Sequence, residues 1–431
     1  MAALKASGAD VVGFDDRAEK LTAPDTARYQ DYPLADLDLL VLSPGVPLTH
    51  PTPHPIVTAA KALEVPICGD FDVFLGSRKQ LPKHRLVGIT GTNGKSTTTA
   101  LIAHMAAKAG KPSLAFGNIG VPFLQPVPLD EGGVYVAELS SFQIDLSPNP
   151  LVDIAILLNL SPDHLDRHGT MENYAAAKGK LFGDTAPKLV SIISIDDPYC
   201  RAIAQRITRR IIPISTIGPI PGGVWVRDGM LIDGIGTNGM EVGHLGNLPA
   251  LQGTHNWQNA LAAYAAARQL GISRDRAFEG LATFGGLVHR QELLPDTGGV
   301  TVVNDSKATN WDSAARALST FSHIRWIAGG RAKGSFDPIK ADQLSGVKAA
   351  YLYGEAADAL GLKINNQVTT KQFDRMTDAA SAALHDAEDG DTVLLSPAAT
   401  AFDQYPDFEA RGRAFKAHVA GFFDTQSGGP A

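Results

Sequence analysis

The sequence predicts an α/β protein built from parallel sheets with helices on both faces. Short apolar runs alternate along the chain with loops and amphipathic stretches, which is typical of β-α-β units. Polar or glycine-rich turns follow several of these runs directly, as at 90–99, 138–141 and 303–310. Such turns form the ligand-binding edge of a parallel sheet. We therefore expect several ligand-binding strand ends in one chain.

Length and composition narrow the class of protein. A chain of 431 residues is too long for one compact core, so two to four domains are expected. The net charge of −7 argues against a broad nucleic-acid surface. The sequence contains no signal peptide and no apolar run long enough to cross a bilayer. Its only cysteines, Cys68 and Cys200, lie far apart. We expect a cytoplasmic protein without disulfides or membrane insertion.

The apolar runs fall into three blocks, which predict domains at 1–77, 78–285 and 286–431. The first block contains predicted strands at 11–14 and 39–42. The central block contains predicted strands at 87–90, 134–138, 154–159 and 190–195, a glycine-rich β insert at 222–253 and a helix at 255–270. The third contains predicted strands at 300–303, 324–328, 350–353 and 393–395. Polar and glycine-rich stretches near 76–84 and 286 mark the boundaries.

A glycine-rich turn follows the apolar run that ends at Ile89, and the residues after the turn predict a helix over 95–108. Backbone N–H groups of such a turn bind phosphate, while Lys95 supplies positive charge and Ser96 offers a hydroxyl to Mg²⁺. The strict motif has glycine where this chain has Ile89, so we interpret the turn as a variant. An ordinary strand–helix turn is the alternative interpretation. The pattern predicts a nucleoside triphosphate site formed by Gly91, Thr92, Asn93, Gly94, Lys95, Ser96 and Thr97.

Two other strand ends of the central block offer metal ligands. Glu138 ends an apolar run, where an Mg²⁺ ligand beside the phosphate loop would be needed, although a solvated acid is equally expected there. His164 belongs to the dense polar segment 163–168 and can bind a metal while a neighbouring acid orients its ring. Lys178 lies on a helix with Thr170 as its predicted cap, and its position alone predicts a surface lysine.

The third block contains three polar strand ends. Asp305 is a candidate acceptor for a nucleotide ribose or base, and Lys307 is a candidate anion ligand. Lys333 and Thr400 lie in the second and third of these turns. Arg290, near the domain junction, is well placed to reach a phosphate when domains close, with an interdomain ion pair as the alternative. Together these turns predict a second binding edge.

Short strings of residues along nearly the whole chain resemble the sequence motifs of the ATP-dependent Mur ligases. The resemblance rests on GTNGKSTTT at 91–99, GNIG at 117–120, ELSSFQ at 138–143, DHLDRH at 163–168, YAAAK at 174–178, HNWQNA at 255–260 and HR at 289–290. Three further strings resemble the members that add D-glutamate: NDSKATN at 304–310, GGRAKGSF at 329–336 and SPAATAFDQYPDFEARG at 396–412. The members that add L-alanine, a diamino acid or a dipeptide are less similar.

The resemblance implies an ATP-dependent ligase in cytoplasmic peptidoglycan precursor synthesis. It would add D-glutamate to UDP-N-acetylmuramoyl-L-alanine through an acyl phosphate. The implied fold has Rossmann-like first and third domains around a central P-loop ATPase-like domain with a small β insert. The implied partners are these small molecules, with no nucleic acid, and we expect a monomer.

The resemblance also implies roles for individual residues. The implied catalytic residues are Lys95, His164, Lys178 and Lys333. Two Mg²⁺ ions would be held by Ser96, Glu138, His164 and Lys178, the last as a carbamate formed with CO₂. ATP would also contact Asn256, Arg290 and Asp305. The implied substrate residues are Asp15, Asp16, Arg17, Ser43, Asn118, Ser140, Ser141, Lys307, Thr309, Lys333, Thr400 and Phe408.

The chain departs from the family pattern at two places. Ala401 stands where the family has a serine near the glutamate, and Thr400 carries the nearest hydroxyl. The chain also opens without the first strand and the glycine-rich turn that bind the UDP diphosphate in the family. We therefore expect a late start assignment or a truncated form with a raised KM for the UDP substrate. A folylpolyglutamate synthase-like ligase and a non-catalytic nucleotide-binding form are the alternative functions, and the strings NDSKATN and SPAATAFDQY argue against the former.

Overall fold

The structure is a computed structural model that divides into two compact units, Met1–Phe284 and Gly285–Ala431. It describes residues 2–17, 20–23, 25–125, 127–183, 189–236, 238–294, 299–332, 336, 339–364 and 367–427, without the side chains of 312 and 425–427. Both units are α/β with mainly parallel sheets, which confirms the predicted fold class. The predicted domain boundaries at 77/78 and 285/286 stay predictions.

The first part of the first unit contains two small parallel sheets. Its strands are β1 (Gly13–Phe14), β2 (Thr26–Ala27), β3 (Leu40–Leu42) and β4 (Ile67–Gly69), and its helices are α1 (Ala2–Ala6), α2 (Pro55–Ala62) and α3 (Asp70–Ser77). β1 pairs with β2 and β3 pairs with β4. Leu40 and Leu42 of β3 pack against Ile56 and Val57 of α2.

A nine-stranded sheet forms the centre of the first unit. Its strands are β5 (His84–Thr90), β6 (Ser113–Gly117), β7 (Gly133–Glu138), β8 (Ile154–Leu157), β9 (Val190–Ser194), β10 (Arg210–Ser215), β11 (Val224–Arg227), β12 (Met230–Asp233) and β13 (Met240–His244). Their spatial order is β13-β12-β11-β10-β9-β8-β5-β7-β6. β5 lies between β7 and β8, so its carboxyl end is flanked by the ends of both neighbours.

Helices and an extended β region complete this sheet. The helices are α4 (Lys95–Lys108), α5 (Ser141–Leu146), α6 (Leu165–His168), α7 (Met171–Gly179), α8 (Pro198–Ala204), α9 (Thr254–Gln269) and α10 (Arg274–Ala282). The predicted β insert is found as β11, β12 and β13, and it continues the central sheet. No strand is predicted from the sequence at β10, which contains Pro213. Pairing with β9 and β11 nevertheless forms that strand.

The second unit contains a six-stranded sheet in the order β14-β15-β19-β16-β17-β18. Its strands are β14 (Glu292–Leu293), β15 (Thr301–Asn304), β16 (Ile324–Gly329), β17 (Val347–Tyr353), β18 (Thr369–Phe373) and β19 (Thr392–Ala398). Its helices are α11 (Trp311–Leu318), α12 (Ala357–Ile364), α13 (Met376–His385) and α14 (Phe408–Ser427). All pairs except β14–β15 are parallel. Apolar clusters around Trp326 and Tyr351 form the core.

Short 3-10 helices join several of these elements. They are Tyr29–Asp31, Leu34–Asp36, Arg78–Gln80, Lys180–Phe182, Leu245–Asn247, Pro249–Leu251 and Ala341–Leu344. Cys68 and Cys200 are both free, buried thiols. Within the described ranges, no helix has the length and apolarity needed to cross a membrane.

Candidate active site

The phosphate loop joins the carboxyl end of β5 to the start of α4. Gly91 and Gly94 have φ values of +152° and +83°, which side chains disfavour. A Cβ atom at Gly94 would lie 2.1 Å from Asn259 Oδ1, and one at Gly91 would lie 3.1 Å from Leu158 Cβ. Glycine is therefore required at Gly94 by both backbone conformation and space. The predicted helix over 95–108 is confirmed as α4.

Asn159, directly after β8, holds the tip of this loop. Its backbone carbonyl accepts from Thr92 N–H at 2.8 Å. Its side-chain oxygen accepts from Asn93 N–H at 2.9 Å, and its side-chain nitrogen donates to Asn93 O at 3.2 Å. The Thr92 hydroxyl donates to Ser161 O at 3.2 Å. The loop tip is thus paired with the neighbouring strand end.

Two lysines converge on the carbonyl of Gly91. Lys95 Nζ donates to Gly91 O at 3.0 Å and to Thr92 O at 2.8 Å. Lys178 Nζ donates to Gly91 O at 2.9 Å and to Thr90 Oγ1 at 3.3 Å. Lys178 is only 1% exposed, so the surface position predicted from the sequence is wrong. Burial, together with the positive charge of Lys95, lowers the pKa of Lys178 well below its ordinary value. The predicted cap of its helix is confirmed, because Thr170 Oγ1 accepts from Asn173 N–H.

Glu138 ends β7 beside the phosphate loop and is buried, with 2% exposure. One carboxylate oxygen, Oε1, accepts from Asn118 Nδ2 at 2.8 Å. Within the described ranges, the other oxygen, Oε2, has no hydrogen-bond partner. A buried anionic oxygen without a donor fits a divalent cation as its partner. Ser96, at the start of α4, is also buried.

The polar segment after β8 contains two histidines in different environments. His164 has a left-handed backbone at φ +52°, and its Nε2 lies 3.4 Å from Asp163 Oδ2, with both side chains about half exposed. His168 is buried and shares a 3.0 Å hydrogen bond with Ser141 Oγ. Burial lowers the pKa of His168. Ser140 caps α5 by accepting from Gln143 N–H.

The described residues do not contain three His, Cys, Asp or Glu side chains close enough to form a metal site by themselves. Of the implied metal ligands, only Glu138 and His164 belong to these four types. A carbamate on Lys178 would supply a carboxylate as a third metal ligand beside Glu138 and His164. The role of the four implied ligands stays a prediction.

The implied UDP-substrate residues lie after β1 and β3. Arg17 Nε donates to Asp15 Oδ1 at 3.2 Å, and this hydrogen bond lowers the pKa of Asp15. Asp16 contacts His54 Nε2 at 2.9 Å. Ser43 is exposed directly after β3. The structure therefore pairs Asp15 with Arg17 and leaves Ser43 accessible.

Two buried arginines, Arg167 and Arg411, are not among the site residues predicted from the sequence. Arg167 Nη2 donates to Val46 O at 3.0 Å, which links α6 to the loop after β3. Arg411, fully buried in the second unit, donates to Ser306 O at 2.8 Å and to Ala399 O at 3.2 Å. It therefore ties the turns after β15 and β19 together. The local string FEARG, which lies on a helix, does not indicate that its arginine is buried.

In the second unit, Asp305 is buried after β15 and accepts two hydrogen bonds. Ser396 Oγ donates to Asp305 Oδ2 at 2.9 Å, and Gln291 N–H donates to Oδ1 at 3.2 Å. Burial raises the pKa of Asp305 to about 7 from its ordinary value of 3.8, although both hydrogen bonds oppose the rise. In the folded protein the neutral carboxyl is thus favoured below about pH 7.

We expect Asp305→Asn to change how stability depends on pH. Because the pKa of Asp305 is raised on folding, its contribution to stability is full below pH 4 and is lost as pH rises through 7. The loss amounts to up to about 4 kcal/mol. The amide keeps an acceptor for Gln291 and does not titrate. The free energy of unfolding can be measured in urea at pH 4.5 and 7.5. Between these two values, the variant should become more stable relative to the parent. Parallel pH profiles would contradict this expectation.

The implied glutamate residues that the structure describes lie after β15, after β19 and at the start of α14. Lys307 Nζ lies 3.8 Å from the ring centroid of Phe408. Thr309 N–H donates to Lys307 O at 2.8 Å. Thr400 Oγ1 donates to Arg331 O at 2.7 Å. Lys333 lies outside the described residues. The structure therefore brings Lys307 and Phe408 together and engages the Thr400 hydroxyl with the backbone.

The remaining implied nucleotide residues lie at helix or strand ends. In the first unit, Asn256 Nδ2 donates to Gln252 O at 2.9 Å, near the start of α9. In the second, Arg290 lies in a strained turn between His289 and Gln291, which have φ values of +64° and +44°. The positive charge of Arg290 lies close enough to Asp305 to lower the pKa of that carboxyl.

Both units match one known protein family. Residues 89–267 match the Mur ligase middle domain, and residues 289–399 match the glutamate ligase domain of Mur ligases. The chain belongs to the Mur ligase family. The family resemblance read from the sequence strings is thereby confirmed.

Relatives of this Mur ligase carry a more specific name. It is 44% identical over 448 residues to the UDP-N-acetylmuramoylalanine–D-glutamate ligase of Caulobacter vibrioides (strain NA1000 / CB15N), covering 100% of this chain and 94% of the relative. The enzyme of that name from Sphingopyxis alaskensis is 44% identical over 429 residues, covering 97% and 93%. These relatives confirm the resemblance to the D-glutamate-adding members.

A solved Mur ligase structure shares the fold. The MurF ligase of Thermotoga maritima, solved in complex with ADP, has a TM-score of 0.60, with coverage of 92% of this chain and 100% of that one. Its sequence is only 16% identical, so the likeness concerns the fold alone.

Proposed function

We propose that this Mur ligase uses ATP to join D-glutamate to UDP-N-acetylmuramoyl-L-alanine. The observation that carries the ATP-dependent part is the phosphate loop, where Lys95 and the buried Lys178 share the carbonyl of Gly91 beside Glu138. The two substrates follow from the name of relatives that are 44% identical over nearly their whole length. We also propose that the enzyme is cytoplasmic and acts as a monomer.

The proposed reaction has two steps. A carboxylate oxygen of the acceptor attacks the γ-phosphorus of ATP, and the bond to the β-phosphate oxygen breaks, giving an acyl phosphate and ADP. The amine of D-glutamate then attacks the acyl carbon, loses a proton and expels inorganic phosphate. Positioning and charge stabilisation supply most of the acceleration in phosphoryl transfer. The loop backbone and Lys95 would hold the phosphates during the first step.

Glu138 and Ser96 would hold one Mg²⁺, and His164 would hold a second with the modified Lys178. The bound cations would neutralise the charge that builds on the phosphate oxygens. The fit rests on the buried Glu138 Oε2, which the described residues leave without a hydrogen-bond donor.

Lys178 is proposed to carry a carbamate. Its neutral amine would attack CO₂, forming an N–C bond and releasing one proton, which turns a cation into a metal-binding carboxylate. The support is its burial beside Lys95, which favours the neutral amine. We expect a carbamate signal in ¹³C NMR of protein equilibrated with ¹³C-bicarbonate, and its loss in Lys178→Met. The exposed-lysine variant Lys79→Met is the control. If Lys178 gives no carbamate signal and the enzyme is equally active without CO₂, the modification is refuted.

The second unit is proposed to bind D-glutamate and part of the nucleotide. Arg290 and Asp305 would contact ATP, and the five residues implied near glutamate are Lys307, Thr309, Lys333, Thr400 and Phe408. The cation–ring contact of Lys307 with Phe408 supports this grouping, since it brings two of the five residues together. In the first unit, the residues implied to bind the UDP-muramoyl substrate are Asp15, Asp16, Arg17, Ser43, Asn118, Ser140 and Ser141.

The test of the proposed function is ADP release with each substrate omitted in turn. We expect release only when ATP, Mg²⁺, UDP-N-acetylmuramoyl-L-alanine and D-glutamate are all present. Replacing D-glutamate with L-glutamate should abolish turnover. Activity with L-glutamate on a folate acceptor would favour the folylpolyglutamate synthase-like alternative. ADP binding without turnover under every condition would favour the non-catalytic form.

A further inference from the structure

Two side-chain amides connect the phosphate-loop tip to α9 and to the end of β9. Asn159 Nδ2 donates to Gln258 Oε1 at 2.7 Å, and Gln258 Nε2 donates to Ser194 Oγ at 2.8 Å. At its other end, Asn159 pairs with both backbone groups of Asn93. We call this series (Asn93, Asn159, Gln258 and Ser194) the amide bridge. Neither amide residue is among the site residues that the sequence or the family resemblance implies.

The amide bridge has a fixed direction. The side-chain oxygen of Asn159 accepts from Asn93, and its nitrogen donates to the oxygen of Gln258. The side-chain nitrogen of Gln258 then donates to Ser194. Turning either amide over would bring two nitrogens or two oxygens together at the Asn159–Gln258 contact. The bridge therefore selects one orientation of each side chain and, through Asn159, one shape of the loop tip.

A second contact ties the same helix to the start of α4. Asn259, next to Gln258, accepts from Thr98 Oγ1 at 3.3 Å and donates to Asn256 Oδ1 at 3.2 Å. Asn256 is the residue proposed to contact the nucleotide. Helix α9 therefore contacts the start of α4 and itself carries the side chain proposed to contact the nucleotide.

We propose that Asn159 and Gln258 are positioning residues that hold the phosphate loop in register with α9 before nucleotide binds. This inference rests on the proposed nucleotide site. Without the bridge, the loop tip has to be ordered when the phosphates bind, and that ordering lowers affinity. Within the bridge, Gln258 reaches the loop through Asn159, so its effect on the loop should disappear when Asn159 is replaced, whereas Asn159 also holds Asn93 directly.

The test is a double-mutant cycle on the full chain, with MgADP as the probe and calorimetry as the readout. We expect Gln258→Met and Asn159→Ala each to weaken MgADP binding by about ten-fold, the upper scale for the loss of one part-buried hydrogen bond. In the Asn159→Ala background, Gln258→Met should have no further effect. The proposal is overturned if the two losses of affinity multiply in the double variant, or if the single variants bind MgADP as tightly as the parent.

Three controls separate positioning from general destabilisation. Gln205→Met, at an exposed glutamine after α8, should leave MgADP binding unchanged. In turnover assays, Gln258→Met should raise the KM for ATP and leave the KM for the amino acid unchanged. If Asn159→Ala does not fold, the cycle of Ser194→Ala with Gln258→Met replaces it, and the serine change should have no effect once Gln258 is gone. MgADP binding does not require the ligase reaction, so a failed proposed function and a failed amide bridge give different results.

Discussion

Replacing Glu138 with glutamine is expected to lower kcat by roughly 10²–10³-fold, the scale lost when a charge-stabilising group is removed from a phosphoryl-transfer site. The amide keeps the size of the side chain, and its oxygen can still accept from Asn118 Nδ2. It lacks the negative charge that would hold Mg²⁺ at the buried Oε2 position. Steady-state ADP release across a range of Mg²⁺ concentrations measures the change.

The Mg²⁺ dependence distinguishes a lost ligand from a lost fold. Glu138→Gln should need a higher Mg²⁺ concentration for half-maximal rate, while its thermal unfolding should match or exceed that of the parent, because a buried charge has been removed. Glu131→Gln, at an exposed position before β7, is the matched control and should behave as the parent. An unchanged Mg²⁺ requirement in Glu138→Gln would exclude this carboxylate as a cation ligand.

Gly94→Ala is expected to lower kcat/KM for ATP by about 10²-fold, the scale of an ångström-sized misplacement in an active site. The new Cβ would lie 2.1 Å from Asn259 Oδ1, at a φ of +83°. The loop or the asparagine therefore has to move, and either movement disturbs the phosphate-binding backbone. Kinetics at saturating amino acid and varied ATP measure the effect.

Gly110→Ala, at the other end of α4, is the matched control. Its φ is +76°, but a Cβ there has no neighbour within 4 Å. This variant should lose about 1–2 kcal/mol of stability from backbone strain and keep its ATP kinetics. If both glycine variants lose ATP turnover equally, strain alone explains the effect and the close approach of Asn259 is irrelevant.

The sequence was most informative where chemistry depends on neighbours along the chain. The turn at 90–99, the helix over 95–108 and the strand ending at Glu138 are found as predicted. These features follow from local rules: glycine permits unusual backbone angles, apolar runs form buried strands, and hydroxyl side chains cap helices. Residues in these turns could therefore be nominated without a structure.

The sequence was uninformative where residues far apart in the chain meet. Lys178 contacts Thr90 across 88 positions, and nothing near Lys178 indicates that it is buried. No strand is predicted over Arg210–Ser215, although pairing with the strands on both sides forms one there. Arg411 lies on a helix whose local pattern does not show that its guanidinium is enclosed by distant turns.

By itself, the sequence determined the α/β class, the phosphate loop and the strand ends that bear polar groups. These features depend on the spacing of apolar residues and on the residue types in turns, which are local properties of the chain. The tertiary structure alone decided that Lys178 is buried beside Lys95, that Glu138 Oε2 lacks a donor among the described residues, and that Asn159 meets Gln258 across 99 positions. Burial and hydrogen-bond partners depend on how separate elements pack. These features set the charge and shape of the site, and they become readable only once the sheet brings its strand ends together.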